Sequence, residues 1–296
     1  MNHLEQPLPP IRTIGVVIPV GNRSTTDLGP QLQALASQTW SGPVSVVISC
    51  NGEPVHLVEG LVATVDWPDG WSVTAIDSSA VRGPSAARNT GWRTLDTDVV
   101  LFCDADDVVA DTWIAGLVQG LEHAGVCTGP MLLDALNEAW MTESSEQPWP
   151  IVRFGHLPHT CSANLGVRRV VLDLTDGFDT TLGAAEDTDF AWRATYAGFP
   201  TRFATAAVVQ YRLRPRAADL FRNNRHYARW DRVLVDKHRR HGARWRRREV
   251  IRHVLSTAVA VVRAPFGRRR RRIAANRLGT LVGWTERYLG KRPTST

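Results

Sequence analysis

Four short apolar runs, each stopped by a polar cluster, constrain this chain more than any other feature. They are T-I-G-V-V-I-P-V (13–20), V-S-V-V-I-S-C (44–50), S-V-T-A-I-D (72–77) and D-V-V-L-F-C (98–103). Consecutive apolar residues over so few positions suit strands covered on both faces. Helical patterns lie between them. Leu28, Leu32 and Leu35 share one helical face. G-P-S-A-A-R-N-T-G-W-R (83–93) reads as a helix with Pro84 in its first turn, and another helix is expected around 111–123. This alternation predicts an α/β fold, a mostly parallel central sheet with helices on both faces. Ligands of such sheets sit beyond the carboxyl ends of the strands. Residues 20–24, Asn51-Gly52 and Asp104 to Asp107 fall at those ends. Further along, 130–160 reads as a loop over the sheet carrying Trp140 and Trp149. Residues 177–199 lead into a helix ended by Gly198, and 203–211 read as one more strand.

Composition narrows the class. With 43% hydrophobic and 22% charged residues, the chain is too apolar for disorder. No stretch approaches the ~18 uninterrupted apolar residues of a spanning helix. The start, M-N-H-L-E-Q-P-L-P-P, lacks the basic and apolar regions of a secretory leader. Cys50, Cys103, Cys127 and Cys161 are scattered, with no C-x-x-C spacing, as expected of mostly buried thiols in a reducing cytoplasm. A zinc site is not expected.

Three constellations carry chemistry. Asp104-Ala105-Asp106 stands directly after an apolar strand. Carboxylates there need a cation, and oxygen ligands suit Mg²⁺ or Mn²⁺. The competing reading is that Asp106 or Asp107 merely caps the next helix. Glu186-Asp187, with Asp189 nearby, sits at an expected helix start. These acids either answer the helix dipole or supply a general base. Gly83, Arg88, Asn89 and Gly91 form the third group. Arg88 either pairs with a phosphate or locks a site carboxylate.

Taken in order, these segments resemble the inverting family 2 glycosyltransferases of GT-A fold, of the kind that build the bacterial cell envelope. The resemblance rests on V-V-I-P-V-G-N-R (16–23), the strand ending at 44–52, G-P-S-A-A-R-N-T-G-W (83–92), L-F-C-D-A-D-D (101–107), A-N-L-G-V-R-R (163–169) and A-A-E-D-T-D-F-A-W-R-A-T-Y-A-G-F (184–199). It implies a Rossmann-like GT-A sheet, a nucleotide-diphosphate sugar donor, and an acceptor hydroxyl on a glycan or a lipid-linked molecule. It places Pro19, Val20 and Asn22 against the nucleotide and Asn51 where an acidic residue commonly reads the base. Arg88 and Asn89 would support the nucleotide and the D-x-D. Asp104, with Ala105 beside it, would face the nucleotide-sugar, and Asp106, aided by Asp104, would hold Mn²⁺ or Mg²⁺. Asp187, with Glu186 beside it, would be the catalytic base.

The pattern also departs from the family. Ser49-Cys50-Asn51-Gly52 replaces the usual acidic pair, Gly21 replaces an aromatic, and Gln210 stands where a histidine is often found. His156 and His159 lie in the variable loop and are weak candidates for acceptor contact. Two alternatives therefore stand: a catalytically silent carbohydrate-binding or scaffold protein of the same fold, and a sugar nucleotidyltransferase. The second lacks its expected glycine-rich loop, since the first turn here is G-N-R-S-T-T-D-L-G-P.

Charge divides the chain. The net +6 combines 24 acidic and 10 basic residues up to position 211 with 25 basic and 5 acidic residues after it. The sequence thus reads as an N-terminal tail (1–12), a catalytic domain (13–215) and a basic helical appendage (216–296). A cation in the D-x-D would let so acidic a body receive a diphosphate. The basic region suits attachment to an anionic membrane surface on the cytoplasmic side. Its arginines could instead coat solvated helices or dock on the acidic body. Nucleic acid is set aside as a partner, because aromatics are sparse there and no binding motif is present.

Overall fold

The computed structural model describes residues 8–21, 25–142 and 151–289. The apolar runs form β1 (Ile14–Gly21), β2 (Val44–Asn51), β3 (Ser72–Asp77) and β4 (Val99–Cys103). Between and after them lie α1 (Thr25–Ala36), α2 (Val55–Val62), α3 (Pro84–Arg93), β5 (Val108–Val109), α4 (Trp113–Leu121), β6 (Val126–Thr128), β7 (Met131–Leu132), β8 (Val152–Arg153) and β9 (Leu157–Pro158). β10 (Asn164–Arg168), α5 (Arg169–Thr175), α6 (Glu186–Tyr196), β11 (Thr201–Phe203) and β12 (Val209–Gln210) complete the body.

The main sheet has seven strands in the order β11-β6-β10-β4-β1-β2-β3. β4, β1, β2 and β3 run parallel, while β10 is antiparallel to both neighbours, β4 and β6. The mostly parallel α/β sheet read from the sequence is therefore present. Side chains alternate across it into two cores. Val16, Ile18 and Leu101 pack with Leu28, Leu32, Leu35 and Ile114 on one face. Val17, Val100 and Phe102 pack with Trp92, Phe178 and Phe190 on the other. Burial on both faces explains why these strands read as unbroken apolar runs.

The expected strand at 203–211 is corrected to two pieces. β11 pairs with β6 in the main sheet, whereas β12 joins β5 and β7 in a small second sheet. A turn separates them, with the Ala207 N–H donating to the Ala204 carbonyl at 3.1 Å. Small residues at 204–207 let the chain cross between sheets, a step that an apolar composition does not announce.

The basic region folds as α7 (Ala217–Lys237), α8 (Arg247–Arg263) and α9 (Arg268–Tyr288). Among the described residues, no helix is long and apolar enough to cross a membrane.

Candidate active site

Parallel strands put several loops on one edge of the sheet. β1 and β2 are in register through Gly21 opposite Asn51, and Asp104 follows β4 directly. β10 enters beside the end of β4, with Asn164 opposite Cys103, so the Cys161-Ser162 turn reaches the same edge. A cavity of about 590 Å³ opens there. Its walls include Pro19, Val20, Asn51, Arg88, Asp104, Ala105, Asp106, Glu186 and Asp187. Segments up to 208 residues apart in the sequence, from Pro19 to Tyr227, thus converge on one space. Asn22 lies outside the described residues, as does Trp149.

Arg88 joins the acidic clusters. It is 3% exposed. Its Nη2 donates to Asp104 Oδ1 at 2.6 Å and its Nη1 to Glu186 Oε1 at 3.2 Å. α3 is aimed at the cavity by its entry. Gly83 has φ 118°, a conformation that only glycine adopts freely, and its N–H donates to Asn51 Oδ1 at 2.9 Å. α6 is entered through Ala185 at φ 66°, a left-handed residue with a Cβ. Such conformations cost about 1 kcal/mol and tend to cluster at functional sites. This bend sets the first turn of α6, with Glu186 and Asp187, at the cavity wall. Asp187 Oδ1 accepts from the Thr188 N–H at 2.6 Å.

Electrostatics follow from crowding. Burial and the adjacent Asp187 lift the Glu186 carboxyl to about 7, against the pull of Arg88. Asp106 is open to the cavity, yet withdrawal from bulk solvent in the cleft and the Asp104 charge raise its carboxyl above the ordinary range. Asp107 points the other way. It is buried, accepts from the Arg212 N–H at 2.8 Å, and leaves Oδ2 without a partner among the described residues. Burial and then Asp104 push its carboxyl up to about 8.

Other candidates sit elsewhere. Asn89 is buried behind the cavity, bonded to the Phe178 backbone and the Trp92 indole. Gln210 accepts from the Ala135 N–H at 3.3 Å and does not line the cavity. His156 contacts the Tyr196 hydroxyl at 2.8 Å and packs on Trp192, and His159 Nδ1 meets the Thr160 carbonyl. Neither histidine lines the cavity. Conversely, sequence reasoning missed Arg82, Arg153, Arg214, Tyr211 and Tyr227, all in its walls. Arg82 directly precedes Gly83, Tyr211 directly follows a strand end and Arg214 lies four residues past it, positions where a site could be sought. Arg153 and Tyr227 carry no such signal. These arginines offset the acidity of the body locally, which net charge alone could not reveal.

The fit to a divalent ion can be judged from the donors. Among the described residues, no group of three or more His, Cys, Asp or Glu is placed to hold a metal. Asp104 has one oxygen bound to Arg88, leaving the other, and Asp106 is a confined carboxylate whose charge a cation would stabilise. Two carboxylates completed by phosphate oxygens fit Mg²⁺ or Mn²⁺, which keep few protein ligands. They do not fit a closed structural site.

Over 224 residues the chain is 25% identical to the pre-mycofactocin glycosyltransferase of Mycobacterium tuberculosis, covering 71% of this chain and 45% of that protein. It therefore spans under half the length of that curated relative. A mannosyltransferase of Pyrobaculum calidifontis, solved with GDP-Man and Mn²⁺, superposes with a TM-score of 0.61 at 16% identity, covering 97% of this chain and 89% of the other. GalNAc-T7, solved with UDP, GalNAc and Mn²⁺, gives a TM-score of 0.53 at 15% identity over 69% of this chain and 44% of that one. These two likenesses show a shared GT-A fold. The model of glycosyl transferase family 2 matches residues 15–172, which run from β1 through the Arg88 and Asp104 segments into α5. The chain belongs to glycosyl transferase family 2.

Proposed function

We propose that this protein transfers a sugar from a nucleoside-diphosphate sugar to an acceptor hydroxyl, with inversion at the anomeric carbon. The observation that carries the reading is Arg88 bridging Asp104 and Glu186, which sets the D-x-D and Asp187 around one cavity. Asp187 would take the proton of the acceptor hydroxyl as that oxygen bonds to the anomeric carbon. The bond from that carbon to the phosphate oxygen breaks on the opposite face, and the nucleoside diphosphate leaves with the electron pair. Asp104 and Asp106 would hold Mn²⁺ or Mg²⁺. When bound, the ion supplies Lewis-acid stabilisation of the leaving diphosphate. The structural neighbours solved with Mn²⁺ support that choice of metal.

Arg82, Arg153 and Arg214 would add fixed positive charge for the diphosphate. Arg88, already committed to two carboxylates, orients them rather than binding phosphate freely. The acceptor class we favour is a glycan or lipid-linked hydroxyl of the cell envelope.

The test is a thermal-shift screen of sugar nucleotides with Mn²⁺ or chelator, followed by turnover of whichever donor binds. A bound donor raises apparent stability. Asp187→Asn should keep donor binding and lose turnover by about 10³-fold. Asp106→Ala should lose the manganese-dependent part of the shift. Near-normal turnover by either folded variant would falsify the assignment. A protein that binds donors but never releases the sugar, to water or acceptor, would be the silent relative instead.

A further inference from the structure

We propose that the outer face of α8 is a docking surface for the anionic leaflet of a lipid bilayer. This goes beyond the catalytic reading and does not depend on it. α8 has an inner face, with Thr257 and Ala260 buried and His253 Nε2 meeting the Arg277 carbonyl of α9 at 3.0 Å. The opposite face is apolar and, among the described residues, uncovered. Ile251, Leu255, Val259 and Val262 follow one another at four- and three-residue steps, and Phe266 continues the line just past the helix end. They are 60%, 64%, 51%, 73% and 70% exposed. Isolated exposed aliphatic residues are ordinary, but a continuous stripe of five marks a contact surface.

Charge identifies the occupant. Arg248 and Arg252 border a groove on one side of the stripe, and Arg263, Arg270 and Arg277 border another between α8 and α9. Arg248, Arg252, Arg263, Arg268, Arg270 and Arg271 are exposed, and none meets a carboxylate among the described residues. An aliphatic ridge between basic grooves matches a leaflet whose acyl region lies beneath anionic headgroups. A second copy of the chain fits poorly, because apposing two such faces would bring the arginine borders together. Nucleic acid fits poorly as well, since four of the five ridge residues are aliphatic and the single Phe266 at its end offers no run of aromatic platforms for successive bases.

Full-length protein should co-float with vesicles holding about a third phosphatidylglycerol, and at least about tenfold less with phosphatidylcholine alone. Two variants separate the components: Leu255→Glu with Val262→Glu removes the ridge, and Arg268→Gln with Arg270→Gln and Arg271→Gln removes charge. Each should reduce flotation about tenfold while leaving the thermal midpoint and donor binding unchanged. Three results would overturn the proposal. The intact protein stays in solution with anionic vesicles, or the ridge variant floats like the parent. In the third, light scattering shows a dimer that the ridge variant converts to monomer, assigning the face to self-association.

Discussion

Asn51 shows how one side chain can be spent before any ligand arrives. Its Nδ2 donates to the Ser78 and Val81 carbonyls at 2.6 and 2.8 Å, and its Oδ1 accepts from Gly83. It lines the cavity, yet its amide pins the loop before α3. The Asn51→Asp change, toward the family's usual acid, should therefore not improve base reading. It would set an oxygen against two carbonyls and cost about 2–4 kcal/mol, measurable by urea unfolding. Asp189 is a second such residue. Burial would raise its carboxyl, but the hydrogen bond from His238 and the charges of Arg193 and Lys237 outweigh burial and hold it at about 2. A depressed carboxyl contributes stability that is fully present above its unfolded value near 4. That contribution is lost as pH falls through about 2. Asp189→Asn should thus lower stability by roughly 2 kcal/mol at neutral pH, with the gap closing toward pH 2. A gap that stays constant with pH would contradict this sign.

At the scale of elements, α6 and α7 hold each other. Lys237 and His238, at the end of α7, reach Asp189 of α6 at 2.6 and 2.8 Å. A second link runs inward from α9. The Trp284 indole donates to Asp231 Oδ2 at 2.9 Å, and Arg153 bonds both Asp231 and the Thr188 hydroxyl. Thr188 follows the proposed base, so α9 is tied to the cavity wall through three side chains. That tie depends on close helix packing. A Cβ at Gly283 would meet Ala228 Cβ at 2.7 Å and the Arg225 carbonyl oxygen of α7 closer still. Gly283→Val should force α9 away, costing about 1–3 kcal/mol. Limited proteolysis should then cut faster between α7 and α9. Unchanged digestion would show that the pair adapts.

At the scale of the whole molecule, the basic helical region packs against the body. Tyr227 of α7 lines the cavity, and the buried residues Trp192 and Ala185 pack with Leu234 and Ala243. Residues on both sides of 215–216 therefore line one cavity. Removing 216–296 should expose this apolar patch and strip Asp189 of Lys237 and His238, leaving only its ion pair with Arg193. The expected result is loss of donor-induced stabilisation and of a cooperative melt, read by calorimetry. A truncated chain that still binds donor like the intact protein would contradict the role given to α7.

Much of this was legible beforehand, for a local reason. β1, β2 and β4 read correctly because burial on both faces leaves an unbroken apolar run that needs no knowledge of neighbours. The acids after β4 and at the start of α6 were visible because charge beside an apolar run is conspicuous. The turn at 204–207 was not, because four small residues suit a strand and a crossing equally well. Nor was the Arg153–Asp231–Trp284 chain, whose members are distant in sequence and individually ordinary. Sequence by itself determined the layered α/β architecture, the family and the acidic groups available for chemistry. Only the tertiary structure decided which of them share a cavity, that Asn51 and Asn89 are engaged by backbone and neighbouring side chains, and that a helix of the basic C-terminal region contributes to the cavity wall. Such partnerships depend on distances between segments far apart in the chain, and hydrophobic periodicity carries no information about those distances.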